Sequence, residues 1–426
     1  MDCKVRWHLA LPISILLVAA TALVAAYTID ALGGAADAAS TVAADASGDP
    51  VLVGAGDIAN SGSGDEATAR LLDVIPGTVA TFGDNAYDAG TDAQFANYYD
   101  PTWGRHKART RPSPGNHEYN TSGASGYFNY FGAAAGERGK GYYSYNLGTW
   151  HIVALNSNCS QVGGCNAGSA QEQWLRADLA ANPATCIAAY WHHPLYSSGT
   201  THGSSTATRA LYQALYDFGA EVVMTGHEHN YERFAPQNAF GQLDLSRGIR
   251  QFVVGTGGAG HYVFLQPPIA NMEARDDTAF GVLKLTLHPT SYDWQFVPEA
   301  GESFTDSGSA SCSESPDPDL DTDADGFTDT EEAFMGTDPA RACPNSATPN
   351  DEDPDAWPPD FNDDRMVDVY DLLGAPASFR NSFGASDPDP PYYGRYDLSM
   401  NGTIDVLDLL GTPNSFKRSF GTGCTP

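Results

Sequence analysis

The sequence predicts an α/β layered domain over residues 50–312. Two observations lead to this prediction. Hydrophobic patterns of the helix type and of the strand type alternate along the segment, and four of its apolar runs end abruptly at aspartate or histidine. Helices that alternate with strands indicate a fold in which layers of helices pack on a sheet.

Three helices are expected from the spacing of apolar residues. They cover residues 66–75, 171–181 and 206–218. Ala69 and Leu72 lie one helical turn apart in the first, and Gly219 is the stop signal of the third. Strands are expected at the four apolar runs and at Tyr142–Tyr145, Trp150–Leu155, Gln251–Val254 and Val282–Leu287. The segment between Asp84 and Asn116 is rich in Tyr, Asp and Gly, so we interpret it as a long functional loop.

Polar residues stand where the four apolar runs end. The runs are Val51-Leu-Val-Gly-Ala-Gly-Asp57, Val79-Ala-Thr-Phe-Gly-Asp84, Ile187-Ala-Ala-Tyr-Trp-His192 and Glu221-Val-Val-Met-Thr-Gly-His227-Glu-His229. Gly115-Asn116-His117-Glu118 adds an amide and an imidazole. Side chains at strand ends meet at one edge of a sheet, where such folds bind ligands. Carboxylate, imidazole and amide groups together predict a two-metal hydrolytic site.

The formal net charge is −31, and it is concentrated in the C-terminal quarter of the chain. From Ser313 onward there are 24 acidic and 6 basic residues. Nucleic-acid binding is not expected, because a nucleic-acid binder normally carries a basic patch. Aspartate-rich blocks in an exported chain indicate calcium instead.

The N-terminus has the pattern of an export signal. Lys4 and Arg6 precede an apolar stretch from Leu9 to Ala26, followed by small residues up to Ala38. We interpret residues 1–38 as a signal peptide and residues 39–49 as a linker, with an uncleaved anchor as the alternative. After cleavage no membrane span is expected, and the protein would be secreted or held at the cell surface.

Six cysteines follow the signal segment, an even number that predicts disulfides in an exported protein. Cys159 and Cys165 are close enough in the chain for a local bridge, but a bridge from either one to Cys186 is equally compatible with the sequence.

In their order along the chain, the polar motifs resemble the signature of the calcineurin-like metallophosphoesterases. The motifs are Gly56-Asp57, Gly83-Asp84-Asn-Ala-Tyr87, Gly115-Asn116-His117-Glu118, Tyr190-Trp-His192 and Gly226-His227-Glu-His229. Tyr87 stands three residues after Asp84, and with this tyrosine the sequence resembles the purple acid phosphatase branch of that family. The resemblance covers about residues 50–305 and implies the family fold, a layered sandwich of two mixed β-sheets flanked by helices.

The resemblance also implies a set of metal ligands. Asp57, Tyr87 and His229 would hold one ion, Asn116, His192 and His227 would hold the other, and Asp84 would bridge them. A tyrosinate is a hard anionic ligand that favours Fe(III), while Asn and His suit Fe(II), Zn(II) or Mn(II). His193 follows His192 directly, and the family pattern favours His192 as the ligand.

The implied reaction is hydrolysis of phosphate monoesters by attack of a metal-bound hydroxide, as in an acid phosphatase. His117 and His202 would bind phosphate or protonate the leaving oxygen. A phosphodiesterase or nucleotidase on the same centre is the alternative, because pocket loops set substrate size. A third hypothesis is a calcium-dependent binding or adhesion protein in which the tail carries the main role.

Residues 313–359 contain a calcium-loop pattern and a linker. Oxygen ligands at positions 1, 3, 5, 9 and 12, with a carbonyl at position 7, are typical of calcium loops. The predicted ligands are Asp321, Asp323, Asp325, the Phe327 carbonyl, Asp329 and Glu332. The pattern resembles a thrombospondin type 3 repeat.

Residues 360–426 contain an internal repeat that resembles dockerin calcium loops. The first copy would bind calcium through Asp360, Asn362, Asp364, the Met366 carbonyl, Asp368 and Asp371. The second would use Asp397, Ser399, Asn401, the Thr403 carbonyl, Asp405 and Asp408. Arg365 stands where such a loop has glycine, and Gly374 and Pro376 interrupt the helix that should follow. A protein or surface partner is expected for these repeats.

Overall fold

The computed structural model describes residues 48–313 without interruption. Beyond them it describes residues 322–328, 332, 337, 341–343, 359–361, 365–367, 396 and 398. The predicted signal peptide and most of the predicted linker precede the described residues, so these two interpretations stay predictions. Among the residues described, no helix combines the length and the apolar character needed to cross a membrane.

Thirteen strands lie within the continuous segment. They are β1 (Val51–Ala55), β2 (Thr78–Phe82), β3 (Thr110–Ser113), β4 (Tyr143–Leu147), β5 (Trp150–Ala154), β6 (Cys186–Tyr190), β7 (Val222–Thr225), β8 (Tyr231–Phe234), β9 (Arg250–Val254), β10 (Met272–Asp276), β11 (Gly281–His288), β12 (Ser291–Pro298) and β13 (Ser307–Ser311). They form a six-stranded sheet in the order β13-β12-β11-β1-β2-β3 and a seven-stranded sheet in the order β10-β8-β9-β7-β6-β5-β4.

Each sheet is mixed and contains a block of parallel strands. In the six-stranded sheet β1, β2 and β3 run parallel, with Val53 opposite Val79. In the seven-stranded sheet β5, β6, β7 and β9 run parallel, with Ala189 opposite Val223. Every residue of β1, β2, β6 and β7 is buried, which explains why these strands read as continuous apolar runs.

The two sheets pack face to face around one core, and helices cover the outside. Phe82, Tyr190 and Phe296 are among the buried residues of the inner core. Five α-helices are described: α1 (Gly64–Val74), α2 (Asp92–Gln94), α3 (Ser125–Phe131), α4 (Ala170–Ala181) and α5 (Arg209–Asp217). Leu175 of α4 and Leu215 of α5 belong to a second apolar cluster on the outer side of the seven-stranded sheet. The predicted fold, two mixed β-sheets flanked by helices, is confirmed.

Short segments of other helix types connect these elements. Residues Phe95–Tyr99 form a π-helical turn. Turns of 3₁₀ helix cover Trp103–Arg109, Glu118–Asn120, Ser122–Ala124, Gly132–Ala135, Cys159–Gln161 and Thr206–Thr208.

The interpretation of the segment between Asp84 and Asn116 as a loop was wrong in part. It contains α2, the π-helical turn, a 3₁₀ turn and β3. Phe95, Tyr99 and Trp103 are buried and lie four residues apart, which is a helical apolar pattern. The Trp103 indole also donates a hydrogen bond to Thr68 of α1, with a distance of 2.9 Å. This segment is therefore part of the scaffold as well as a connection to the site.

Disulfides are present, as predicted, and the structure settles two pairings. Cys159 pairs with Cys165, six residues away, and Cys186 pairs with Cys312. The second bridge joins the start of β6 to the residue after β13, so it connects the two sheets.

Candidate metal centre

Six of the seven predicted metal ligands follow the carboxyl ends of strands, three from each sheet, and the seventh lies in a loop. Asp57, Asp84 and Asn116 follow β1, β2 and β3 of one sheet, while His192 follows β6 of the other. His227 and His229 lie in the turn between β7 and β8, and Tyr87 lies in the loop after β2. The carboxyl ends of parallel strands meet at one edge of a sheet. Each sheet has a block of parallel strands, and the residues that follow these strands lie close together.

The seven side chains fall into two groups of three with Asp84 between them. In the first group the Tyr87 hydroxyl lies 2.8 Å from Asp57 Oδ1 and 3.1 Å from His229 Nε2. In the second group His192 Nε2 lies 3.0 Å from Asn116 Oδ1 and 3.1 Å from His227 Nδ1.

Asp84, the predicted bridging residue, lies between the two groups. Its Oδ2 lies 3.2 Å from the Tyr87 hydroxyl of one group and 3.2 Å from His192 Nε2 of the other. The residues that the sequence assigns to each ion therefore lie together, and the predicted bridging residue contacts both groups.

Backbone hydrogen bonds hold the two carboxylates in place. Asp57 Oδ2 accepts the N–H of His227 at 2.8 Å, and Asp84 Oδ1 accepts the N–H of His117 at 2.8 Å. Each carboxylate thus uses one oxygen for the backbone and leaves the other facing the cluster. His192 Nδ1 lies 2.9 Å from the Phe82 carbonyl, so a proton on Nδ1 leaves the Nε2 lone pair for the centre.

Three of these residues have left-handed backbone conformations. The φ angles of Asp57, Asp84 and His227 are 59°, 49° and 73°. Such values are uncommon outside glycine, and they cluster where structure is tied to function. Gly83, with a φ of 83°, must be a glycine because a Cβ there would lie 2.5 Å from the His192 ring.

Burial and neighbouring charges set the pKa values in the cation-free centre. Burial would raise the pKa of Asp57, but His229, His192 and the Tyr87 hydroxyl together outweigh this effect and hold the pKa well below its ordinary value. Burial and then Asp57 and Asp84 raise the pKa of the Tyr87 phenol well above its ordinary value. Without a cation the Tyr87 hydroxyl therefore keeps its proton and donates a hydrogen bond to Asp57. A bound cation would displace that proton.

The donor set fits two cations. Ligand atoms of Asp57, Asp84 and His192 all lie within 4.8 Å of one another, and so do those of His192, His193 and His227. Buried carboxylates require compensating positive charge, which two cations would supply.

His193 lies beside the centre and not within the two groups. Its Nδ1 lies 2.8 Å from the Ser157 hydroxyl, while its ring centroid lies 4.4 Å from that of His227. His192 has the contacts to Asp84 and Asn116 described above, so the geometry favours His192 over His193 as the ligand.

The two histidines predicted to contact substrate lie at the edge of the centre. His117 Nε2 lies 3.8 Å from Asp84 Oδ2, and its ring packs on Tyr87 with centroids 4.4 Å apart. His202 is exposed, and its ring stacks on His227 at 4.1 Å and 25°. One imidazole thus adjoins each group of three.

The sequence did not predict the roles of two further residues around the centre, Glu118 and Tyr262. Glu118 is fully buried and accepts the N–H groups of Asn85 at 2.8 Å and Gly115 at 2.7 Å, so it links the loops after β2 and β3. Burial raises the pKa of Glu118 to about 8. Tyr262 stacks on His229 at 4.0 Å and 14°, and no pattern in the sequence indicates this contact.

The described part of the C-terminal region brings three acidic residues together. Carboxylate oxygens of Asp323, Asp325 and Glu332 lie within 4.8 Å of one another, and Glu332 is buried. The Phe327 N–H donates to Asp325 Oδ1 at 2.7 Å.

In the first repeat, Asp360 Oδ2 accepts the N–H of Arg365 at 2.7 Å. Met366, whose carbonyl is a predicted ligand, is also described, and the other predicted calcium ligands lie outside the described residues: Asp321, Asp329, Asn362, Asp364, Asp368, Asp371, Asp397, Ser399, Asn401, the Thr403 carbonyl, Asp405 and Asp408.

Two segments of the chain match known families. Residues 32–231 match the family described as calcineurin-like phosphoesterase, and residues 321–342 match the bacterial TSP3 repeat. The chain is 35% identical over 97 residues to purple acid phosphatase 15 of Arabidopsis thaliana, which is 22% of this chain and 18% of that protein. It is 28% identical over 184 residues to an uncharacterized protein of Mycobacterium tuberculosis, 34% of this chain and 35% of that protein.

The chain thus spans about a third or less of the length of these curated relatives. Among solved structures, purple acid phosphatase PPD1 from yellow lupin seeds superimposes with a TM-score of 0.48 at 20% identity, covering 62% of this chain and 53% of that one. The chain carries a calcineurin-like metallophosphoesterase domain with relatives among the purple acid phosphatases, followed by a TSP3 repeat.

Proposed function

We propose that this chain is a binuclear-metal phosphoesterase of the acid phosphatase type that hydrolyses phosphate monoesters. One observation carries the proposal: Asp84 lies between two groups of three ligands, in contact with Tyr87 of one and His192 of the other. This arrangement provides one bridging carboxylate and separate donors for two ions, as two-metal hydrolysis requires. The matched family and the purple acid phosphatase relatives support the same reaction class.

The residues of the first group favour a trivalent ion. Tyr87 and Asp57 supply anionic oxygen, which suits Fe(III), while Asn116, His192 and His227 suit Fe(II), Zn(II) or Mn(II). Two cations held there would supply Lewis-acid activation of a water molecule and of the phosphoryl oxygens.

The chain's own groups would bind and orient the ester. His117 and His202, one beside each group of ligands, would donate hydrogen bonds to the phosphoryl oxygens, and one of them would give a proton to the leaving oxygen. Export to the cell surface or medium is part of the proposal and is supported by the N-terminal sequence pattern and the two disulfides.

The proposal is tested with 4-nitrophenyl phosphate and purified full-length protein loaded with iron and zinc. We expect release of nitrophenolate by the wild type and none by Asp84→Asn. Asp65→Asn is the matched control, because Asp65 is also a buried carboxylate but bonds to Thr102 outside the centre. A wild type that holds two metal ions and hydrolyses no phosphate ester would overturn the proposal. A higher rate on bis(4-nitrophenyl) phosphate than on the monoester would favour the phosphodiesterase alternative.

We also propose that the TSP3 repeat binds calcium through Asp323, Asp325 and Glu332. Their convergence in the structure and the family match at residues 321–342 support this. The repeats of residues 360–426 remain predicted dockerin-like calcium segments with a protein or surface partner, and this role would be accessory to the phosphoesterase.

A further inference from the structure

The segment that carries His202 has no regular secondary structure, yet two buried glutamates bind its backbone. Residues 197–203 lie between β6 and α5 without helix or strand. Glu228 and Glu232 are each 0% exposed. Both carboxylates accept hydrogen bonds from this segment, one near each end.

Glu228 binds the end of the segment where His202 lies. A single oxygen, Oε1, accepts the N–H of His202 and the N–H of Gly203, both at 2.6 Å. Oε2 is buried and has no hydrogen-bond partner among the described residues. Hydrogen bonds to a carboxylate are roughly twice as strong as those between neutral groups.

Glu232 of β8 binds the other end. Its Oε2 accepts the N–H of Ser198 at 2.6 Å, and its Oε1 accepts the Ser197 hydroxyl. The same hydroxyl accepts the N–H of Gly199 at 2.9 Å. The segment is therefore fixed at both ends by carboxylates that belong to the β7–β8 unit.

Gly199 shows how closely the segment follows the Glu228 side chain. A Cβ at position 199 would overlap the Glu228 carboxyl group. Only glycine allows the backbone to pass at this distance.

The position of Glu228 in the chain couples the segment to the metal centre. Glu228 stands between His227 and His229, the two predicted ligands of this turn. Its carboxylate holds the backbone of His202, whose ring stacks on His227 at 4.1 Å. The exposed imidazole is thus placed by the same turn that presents two ligands.

We propose that Glu228 is a positioning residue for His202, with Glu232 fixing the other end of the same segment. Glu228 would act through His202 and not through the metal ions or the substrate. The inference rests on the proposed function, because the placement of His202 matters for the reaction only if His202 serves a phosphate ester.

Three variants and one double variant test it, each as full-length protein loaded with metal. Glu228→Leu keeps the volume and removes the acceptor, whereas Glu228→Gln keeps an oxygen that can occupy the Oε1 position. We expect Glu228→Leu and His202→Ala each to lower kcat on 4-nitrophenyl phosphate by about 10²-fold, the usual contribution of a placed acid–base group. Glu228→Gln should stay within about threefold of the wild type, since one oxygen accepts both bonds. The double variant Glu228→Leu/His202→Ala should be no slower than His202→Ala alone.

Three results of these kinetic and metal measurements would overturn the inference: a Glu228→Leu variant with wild-type kcat, a double variant slowed by the product of the two single effects, or loss of metal from Glu228→Leu. The last would mean that Glu228 serves the ligands directly.

Amide hydrogen exchange gives a readout that does not depend on activity. Glu228→Leu should speed exchange at His202 and Gly203, and Glu228→Gln should not. Gly199→Ala should also speed exchange at His202 and Gly203, because its Cβ would displace the Glu228 carboxyl group. Unchanged exchange in Glu228→Leu contradicts the inference even if the wild type proves inactive, whereas faster exchange with an inactive wild type rejects the proposed function alone.

Discussion

The hydroxyl of Tyr87 lies 2.8 Å from Oδ1 of Asp57, although the two residues follow different strands. The same hydroxyl lies 3.2 Å from Oδ2 of Asp84, so it contacts both buried carboxylates of the centre. The phenol oxygen therefore occupies a position that belongs to one predicted ion and borders the bridging residue.

Replacing Tyr87 tests its role as a ligand. Tyr87→Phe removes one oxygen and keeps the ring that packs on His117. We expect the variant to fold, to lose the visible absorption band of a tyrosinate–Fe(III) pair, and to bind the first ion at least about tenfold more weakly, because the anionic donor is missing. Metal analysis and a visible spectrum measure this. Tyr99→Phe is the control, since Tyr99 is an equally buried phenol in the π-helical turn, and a band that survives in Tyr87→Phe would remove Tyr87 from the ligand set.

Glu221 should make the folded protein less stable as the pH rises. Its carboxylate accepts two hydrogen bonds from Ser313, at 2.8 and 2.9 Å, but burial raises its pKa from an ordinary 4.5 to about 7. Below pH 4.5 the group is protonated in both the folded and the unfolded chain. As the pH rises from 4.5 through 7 the unfolded chain ionises first, so stability falls by up to about 3 kcal/mol.

Glu221→Gln removes this titration. Urea unfolding at pH 4, 6 and 8 should show the variant gaining stability on the wild type as the pH rises, with little difference at pH 4. Glu302→Gln, at an exposed position, should leave the wild-type pH profile unchanged. A constant difference between Glu221→Gln and the wild type at all three pH values would exclude the buried ionisation.

The two disulfides within residues 48–313 should differ in their contribution to stability. Cys186 and Cys312 are 126 residues apart, whereas Cys159 and Cys165 are separated by 6. The chain-entropy relation assigns about 5 kcal/mol to the long loop and about 2 kcal/mol to the short one. Alanine pairs at the two bridges, compared by thermal unfolding, should therefore lower Tm more for Cys186/Cys312. Equal losses of Tm in the two variants would show that the entropy of the cross-linked unfolded chain does not determine how much each disulfide stabilises the protein.

Calcium binding should depend on the aspartates of the TSP3 repeat. Asp325→Ala removes one of three converging carboxylates, and we expect calcium affinity measured by calorimetry to fall at least about tenfold, since the number of charged ligands tunes it. Asp353→Ala lies in the same acidic region outside the pattern and should have no effect. Phosphatase activity should be unchanged in both, because the repeat follows the phosphoesterase domain. A wild-type protein that binds no calcium would contradict the proposed calcium site.

Residues at strand ends were predictable because two independent signals coincide there. An apolar run that stops at Asp57 or His192 indicates a buried strand and, at the same time, a polar group aimed at the sheet edge. Their spatial grouping required the resemblance to a known family, since spacing along the chain does not state which strands are neighbours.

Other elements were missed for physical reasons. β12 carries Tyr292, Trp294 and Phe296 on one face, a period-two pattern that predicts a strand and could have been recognised. β13, with the sequence Ser-Gly-Ser-Ala-Ser, has no such pattern and forms only because β12 offers a partner. Glu228 is visible in the motif, but its partners are backbone N–H groups, which leave no trace in a sequence.

The ligands of the proposed centre are divided between the two halves of the sandwich, three following the strands of each sheet and Tyr87 in the loop after β2. A cation held by both Asp57 and His229 would bind well only when the two sheets pack correctly, because each sheet supplies one of these ligands. Metal uptake would then depend on interior packing: a substitution that loosens the packing of a core residue such as Phe296 would weaken the binding of the ions. In such an architecture, substitutions that stabilise the packing between the two sheets would also raise the affinity for the metal ions.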